Sequence, residues 1–295
     1  MNLKRGAKAV ALEWVARSGS FAPDATSSAA LRLMKIGFGP TGTPPTYPGG
    51  VPSACCISVD FDVTREGRYQ SNHIGTRLLL DLSEKYGVPL TWAICGKTAE
   101  EDREAYESIL SSSVRQEVGI HTYSHIYANE STEDQYEADV RRCVSYLSLA
   151  PPPTTFVFPK NREGYFGMLR RLGFLSYRGA RRAIGPPVAN EGLWNIRPVY
   201  YVDQKSLGAE SLIRHFVDAC QARSAVFHLW THPWSITTEG NPGTMAERTL
   251  DPVFAYLRDR RESGLMATST MSEIAASMGE PGPVIGAGVK QELLN

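Results

Sequence analysis

Between residues 54 and 268, short apolar runs bounded by turn residues alternate with segments of helical period. That alternation limits the chain to a mainly parallel sheet with helices packed outside it. Strands are predicted at 54–60, 89–95, 117–120, 154–159, 174–178, 193–202, 225–230 and 265–268, and helices at 72–86, 99–112, 131–149, 164–172, 209–222 and 246–263, with a short last helix from Ser272. Local signals mark several ends. Leu78, Leu79, Leu82 and Tyr86 make an apolar stripe that Gly87 closes, Ser131 or Thr132 offers a cap, and Pro151 to Pro153 stop the helix begun there. About seven βα units are too few for a regular eightfold barrel.

The same reading divides the chain. Residues 1–35 carry one or two short helical segments and 37–53 an irregular Gly/Pro-rich connection, so 1–53 is expected to be a helical extension and linker, 54–279 the main domain and 280–295 a tail. Lys4 and Arg5 before an apolar stretch imitate a leader peptide, but Glu13 and Arg17 interrupt it, and it is too short to span a bilayer. Cys55, Cys56, Cys95, Cys143 and Cys220 form no C-x-x-C pair and sit largely in predicted strands, the pattern of buried thiols in a reducing compartment. The expectation is a cytoplasmic protein without stable membrane insertion. A formal net charge of zero without a basic block argues against a nucleic-acid groove.

Chemistry-bearing residues gather at the predicted strand ends. The strand at 117–120 runs into His121 and His125, a pair four residues apart that, on a helical turn, would put two imidazoles on one face and so could bridge one metal ion. Two polar residues capping a turn would account for the pair equally well. Upstream, the strand at 54–60 ends in Asp60-Phe61-Asp62, and residues two apart on a strand share a face. Buried carboxylates need partners. A metal beside Asp62 would supply one, and an Asp-rich turn is the simpler alternative.

Taken together these stretches resemble a known family. Ser58-Val59-Asp60-Phe61-Asp62 is similar to the first motif of the NodB-type polysaccharide deacetylases, and the run from Glu117 to His125 resembles the strand and His-Ser/Thr-x-x-His of their second. The similarity extends from about residue 54 to about residue 277. It implies an α/β fold, a distorted (β/α) barrel of about seven strands. It also implies that Asp62, His121 and His125 bind a divalent metal, Zn²⁺ or else Co²⁺, Ni²⁺ or Fe²⁺, in an open catalytic site. Asp60 would then be the general base and His232, in Leu229-Trp230-Thr231-His232-Pro233, the general acid, with His228 as its competitor.

The third motif departs from the family. Relatives carry Arg-x-Pro-aromatic where this chain has Phe156-Val157-Phe158-Pro159-Lys160-Asn161, so the arginine that orients the catalytic Asp is absent and Lys160 is a poor bidentate substitute. Backbone N–H groups after Pro159 could help hold an oxyanion. Trp92, Trp194, Trp230, Trp234, Tyr165 and Tyr123 are candidate sugar platforms, although such residues are more often core. Arg178, Arg181 and Arg182 could meet an anionic part of a substrate or form a solvated face. The resemblance implies a metal-dependent amidohydrolase removing N-acetyl groups from a saccharide or small glycoside. Hydrolysis of another non-peptide C–N bond, or sugar binding without turnover, are the alternatives, and a homo-oligomer stays open.

Overall fold

The computed structural model describes residues 36–39, 45–63, 68–237, 241 and 243–281. The helices expected within 1–35, and the tail after 281, lie outside them. Strand β1 (Ala54–Phe61) is buried at all eight positions, as a strand covered on both faces must be, with Ser58 and Asp60 the polar residues within its otherwise apolar run. Around it the sheet adds β2 (Thr91–Ile94), β3 (Glu117–Ile120), β4 (Thr155–Val157), β5 (Ser176–Arg178), β6 (Val188–Asn190), β7 (Leu193–Asn195), β8 (Tyr200–Tyr201), β9 (Val226–Thr231) and β10 (Ala267–Thr268). Their order is β8-β9-β1-β2-β3-β4-β5-β7-β6, with β10 beside the first half of β1. Within this sheet, among the described residues, only β6 and β7 pair antiparallel.

Helices α1 (Tyr69–Tyr86), α2 (Gly96–Glu101), α3 (Arg103–Leu110), α4 (Glu133–Leu147), α5 (Phe166–Arg171), α6 (Glu210–Gln221), α7 (Pro233–Ile236), α8 (Asp251–Glu262) and α9 (Met271–Ser277) complete the fold. Thr132 starts α4 with a reciprocal capping box to Gln135. The helix expected at 99–112 is broken at Asp102, whose backbone leaves the helical region while its carboxylate accepts from Asn72 Nδ2 at 2.9 Å. The one expected at 246–263 opens with a π turn over Ala246–Leu250 before α8.

The sheet is an open, curled half-barrel, and one contact demonstrates the curl. Arg178 on β5 reaches Asp60 on β1. In a flat sheet four strand spacings of about 4.8 Å would separate them by roughly 19 Å, beyond any arginine. The stretch 193–202 contributes to the closure. It was expected as one strand, but Pro198 cannot donate to a ladder and restricts Arg197 before it. The chain leaves the sheet after β7 and rejoins it as β8 at the opposite edge, where Val199 N–H donates to His228 O at 2.7 Å. A short strand pair, Gly37–Phe38 with Ala183–Ile184, lies outside this sheet and falls where no strand was expected.

Candidate active site

Parallel strands deliver their following residues to one edge. Asp60 and Asp62 close β1, His121 follows β3, Arg178 ends β5 and His232 follows β9. On the curled sheet this C-terminal edge becomes the rim of a cleft of about 460 Å³ lined by Asp60, Asp62, Arg68, His125, Lys160, Asn161, Arg178, Trp230, His232 and Trp234.

The histidine pair is assembled differently from a helical turn. Thr122 and His125 have φ of 61° and 59°, a left-handed conformation that non-glycine residues adopt only when the surroundings hold them. Asp139 on α4 supplies the hold. Its carboxylate accepts from Tyr123 N at 2.7 Å, Ser124 N at 3.0 Å and Ser124 Oγ at 2.5 Å. Without that acceptor the turn has no reason to keep its strained form. Asp139→Ala is expected to weaken divalent-metal affinity about 10–100-fold, the usual cost of removing a group that orients ligands. A metal titration giving unchanged affinity would remove Asp139 from this role.

Around Asp62 the donor set fits a metal ion. His125 Nε2 lies 2.9 Å and His121 Nε2 3.5 Å from Asp62 Oδ2, and ligand atoms of all three residues fall within 4.8 Å of one another. His121 Nδ1 donates to Val157 O at 2.7 Å, which fixes the tautomer and leaves Nε2 a lone pair. That Nε2 is buried without a hydrogen-bond partner. A lone pair facing a carboxylate oxygen inside the protein calls for a cation between them. Three such ligands would leave further coordination positions of an ion open. Burial alone would raise the Asp62 pKa, but the neighbouring imidazoles of His232, His121 and His125 outweigh it and hold the carboxyl well below the usual carboxylate range.

Asp60 stands beside this trio and is held separately. Arg178 grips it with Nη1 to Oδ1 at 2.5 Å and Nη2 to Oδ2 at 2.7 Å, and the guanidinium lies 4.3 Å from the Trp230 ring centroid. Burial opposes ionisation of Asp60, and Arg178 outweighs it, so its pKa is lowered. The role vacant in the third motif is therefore filled from the next strand, by a residue whose guanidinium is spent on Asp60 and not free for substrate.

Behind Arg178 runs a buried relay. His228 Nδ1 donates to Ile196 O at 3.0 Å, so its Nε2 accepts from Ser58 Oγ at 2.8 Å, and Ser58 Oγ accepts from Arg178 Nη1 at 3.1 Å. His228 is fully buried and turned away from the cleft, which separates it from His232. Burial and the nearby Arg178 push the His228 pKa down to about 3. The native imidazole therefore stays neutral below its ordinary pKa of about 6.5, where the unfolded chain takes up a proton. Stability should fall as pH drops from about 6.5 towards 3, by about 1 kcal/mol per pH unit. Thermal melts between pH 7 and 5 should show this slope, reduced in His228→Gln. The remainder belongs to His232, whose pKa burial also lowers.

His232 stands on the rim, its Nε2 3.7 Å from Asp60 Oδ2 and 3.7 Å from Asp62 Oδ1, with Tyr201 Oη 3.2 Å from Nδ1 and the Trp234 ring 4.5 Å away. Trp234 Nε1 donates to Asp62 O at 2.7 Å.

Other sequence candidates sit elsewhere. Trp92 is buried with Nε1 donating to Gln116, Tyr123 packs under Arg142, Tyr165 donates to Ser131 O, and Trp194 donates to Gly279 O. Of the six aromatic candidates, Trp230 and Trp234 line the cleft. Pro159 is buried, and the N–H groups of Asn161 and Arg162 are spent on Phe158 O and Pro159 O, which removes them as oxyanion donors. Arg181 and Arg182 lie on the loop before the outlying strand pair, away from the cleft. Asp139, Ser58 and Arg68 escaped the sequence reading, because nothing local to them signals a distant partner.

Residues 54–163 match the polysaccharide deacetylase family model. No curated protein matches the chain. Among solved structures, a putative polysaccharide deacetylase from Mycobacterium smegmatis aligns at a TM-score of 0.62 and 20% identity over 80% of this chain and 93% of the other. A probable polysaccharide deacetylase from Pseudomonas aeruginosa PAO1 gives 0.61 and 15% over 80% and 94%, and the PuuE allantoinase 0.60 and 15% over 82% and 95%. At these identities the likeness is one of fold.

Proposed function

We propose, from a chain that carries the polysaccharide deacetylase signature over residues 54–163 on a NodB-type fold, that it is a metal-dependent hydrolase removing N-acetyl groups from an amino sugar. One observation carries the reading: the unpartnered His121 Nε2 faces Asp62 Oδ2 beside an aspartate that Arg178 keeps ionised. Asp62, His121 and His125 would hold the ion, with Zn²⁺ the first choice for two imidazoles and a carboxylate. Such an ion supplies Lewis acidity to the acyl oxygen and lowers the pKa of water towards 7.

The protein's own groups handle the protons. Asp60 takes a proton from water as its oxygen bonds to the acyl carbon. His232 Nε2, 3.7 Å from Asp60 Oδ2, receives that proton and hands it to nitrogen as the C–N bond breaks, leaving acetate and free amine. Trp230 and Trp234 offer faces for the sugar ring.

The test is elemental analysis of the purified protein, followed by acetate release from N-acetylated sugars. Wild type should hold about one equivalent of a divalent transition metal, and Asp62→Ala and His125→Ala should hold little. Absence of metal after reconstitution would sink the hydrolase reading. Metal with turnover of a cyclic amide but no acetate would move the activity to another C–N bond.

A further inference from the structure

Among the described residues, three cationic side chains meet two carboxylates in the cleft, and only one of the cations is spent on them. Arg178 is consumed by Asp60. Arg68 and Lys160 have no carboxylate partner among the described residues. Each lies instead on an aromatic ring, Arg68 4.0 Å from the Trp234 centroid and Lys160 4.6 Å from that of Tyr127. Trp234 adjoins His232, and Tyr127 packs edge-on against His125. The two cations therefore border the cleft on rings that adjoin the candidate centre, one beside His232 and the other beside His125. A neutral sugar offers these groups hydroxyl acceptors but no counter-charge, and a bound divalent ion would add to the positive excess.

Their placement is also built. Lys160 is exposed on a left-handed turn with Asn161, φ 50° and 54°, and its side chain is held at the cleft by the Tyr127 ring. Trp234, which carries Arg68, is fastened by its indole N–H to the carbonyl of Asp62. Stacking occupies a face of the Arg68 guanidinium and leaves its N–H edge free for an oxyanion.

We infer that the substrate of this site carries an anionic group, a phosphate or a carboxylate on the N-acetylated sugar, which Arg68 and Lys160 bind while the acetamido group faces Asp60. This rests on the deacetylase reading for what the site does, but not for what it binds. Charge-assisted hydrogen bonds of this kind should give roughly tenfold or greater preference for an anionic ligand over its neutral parent.

Binding to the metal-loaded protein is measured by calorimetry for N-acetylglucosamine, its 6-phosphate and N-acetylmuramic acid, with acetate release followed in parallel. At least one of the two acids should bind about tenfold tighter than the neutral sugar, and which one separates phosphate from carboxylate. Lys160→Gln and Arg68→Gln should each lower that ratio severalfold, as should raising the salt. Equal binding of neutral and anionic sugars, no binding of either acid, or variants that weaken neutral and anionic sugars alike would overturn the inference. Tight binding that depends on Arg68 and Lys160 without acetate release would keep the anion site and discard the deacetylase.

Discussion

Asp60→Asn is expected to lower turnover by about 10²–10⁴-fold, the usual contribution of a positioned general base, while metal content stays at the wild-type value. Two features separate these outcomes. Asp60 is not one of the three residues whose ligand atoms converge, so the amide exchange leaves the proposed metal-binding trio intact. In the proposed mechanism the carboxylate is nevertheless the group that takes the proton, and its lowered pKa keeps it ionised at neutral pH. Asparagine has nearly the same shape and keeps one oxygen for Arg178, which also retains Ser58 and the Trp230 face. A folded protein with the normal complement of metal and little turnover is therefore the predicted state. Near-wild-type kcat would show that the base lies elsewhere, with His232, 3.7 Å away, the next candidate. Loss of metal in the variant would mean that Asp60 is itself a ligand.

How much of this is legible in the sequence follows from the range of the interactions. β1 and β3 are legible because strands buried within a sheet are mainly apolar, and each runs into polar residues at the rim, Asp60 and Asp62 for β1 and His121 for β3. The Asp62, His121 and His125 grouping was legible for the same reason, since parallel strands put their ends on one edge. The left-handed turn at Thr122 to His125 was not. Neither residue is Gly or Asn, and the acceptor that stabilises it, Asp139, sits on a helix later in the chain. Pro198 was visible, yet its consequence, a strand divided between opposite edges of the sheet, depends on the closure of the fold. The hardest to see was Arg178. It is 118 residues from Asp60, and only the curl of the sheet brings it near.

That contact yields the largest expected effect on stability. Removing one member of a buried ion pair leaves the other charge unpaired, so Arg178→Met should cost about 3–5 kcal/mol, read from urea or guanidinium unfolding. Arg178 and Asp60 are buried at 1% and 3% exposure, and little water can replace the lost partner. Without the guanidinium, the burial that already opposes ionisation raises the Asp60 pKa, so the acid limb of the pH–rate profile should move to higher pH as turnover falls. Arg178→Lys keeps a charge but loses the two-pronged grip and should recover stability better than rate. The decisive variant is the double one, Asp60→Asn with Arg178→Met. If the pair is an isolated charge balance, the second change should restore much of the stability lost in Arg178→Met, a coupling of a few kcal/mol between contacting residues, with turnover still absent. Additive losses would mean that Arg178 stabilises chiefly through Ser58, His228 and Trp230. In that case the relay from β9 is a packing device, and Asp60 owes its orientation to β1 alone.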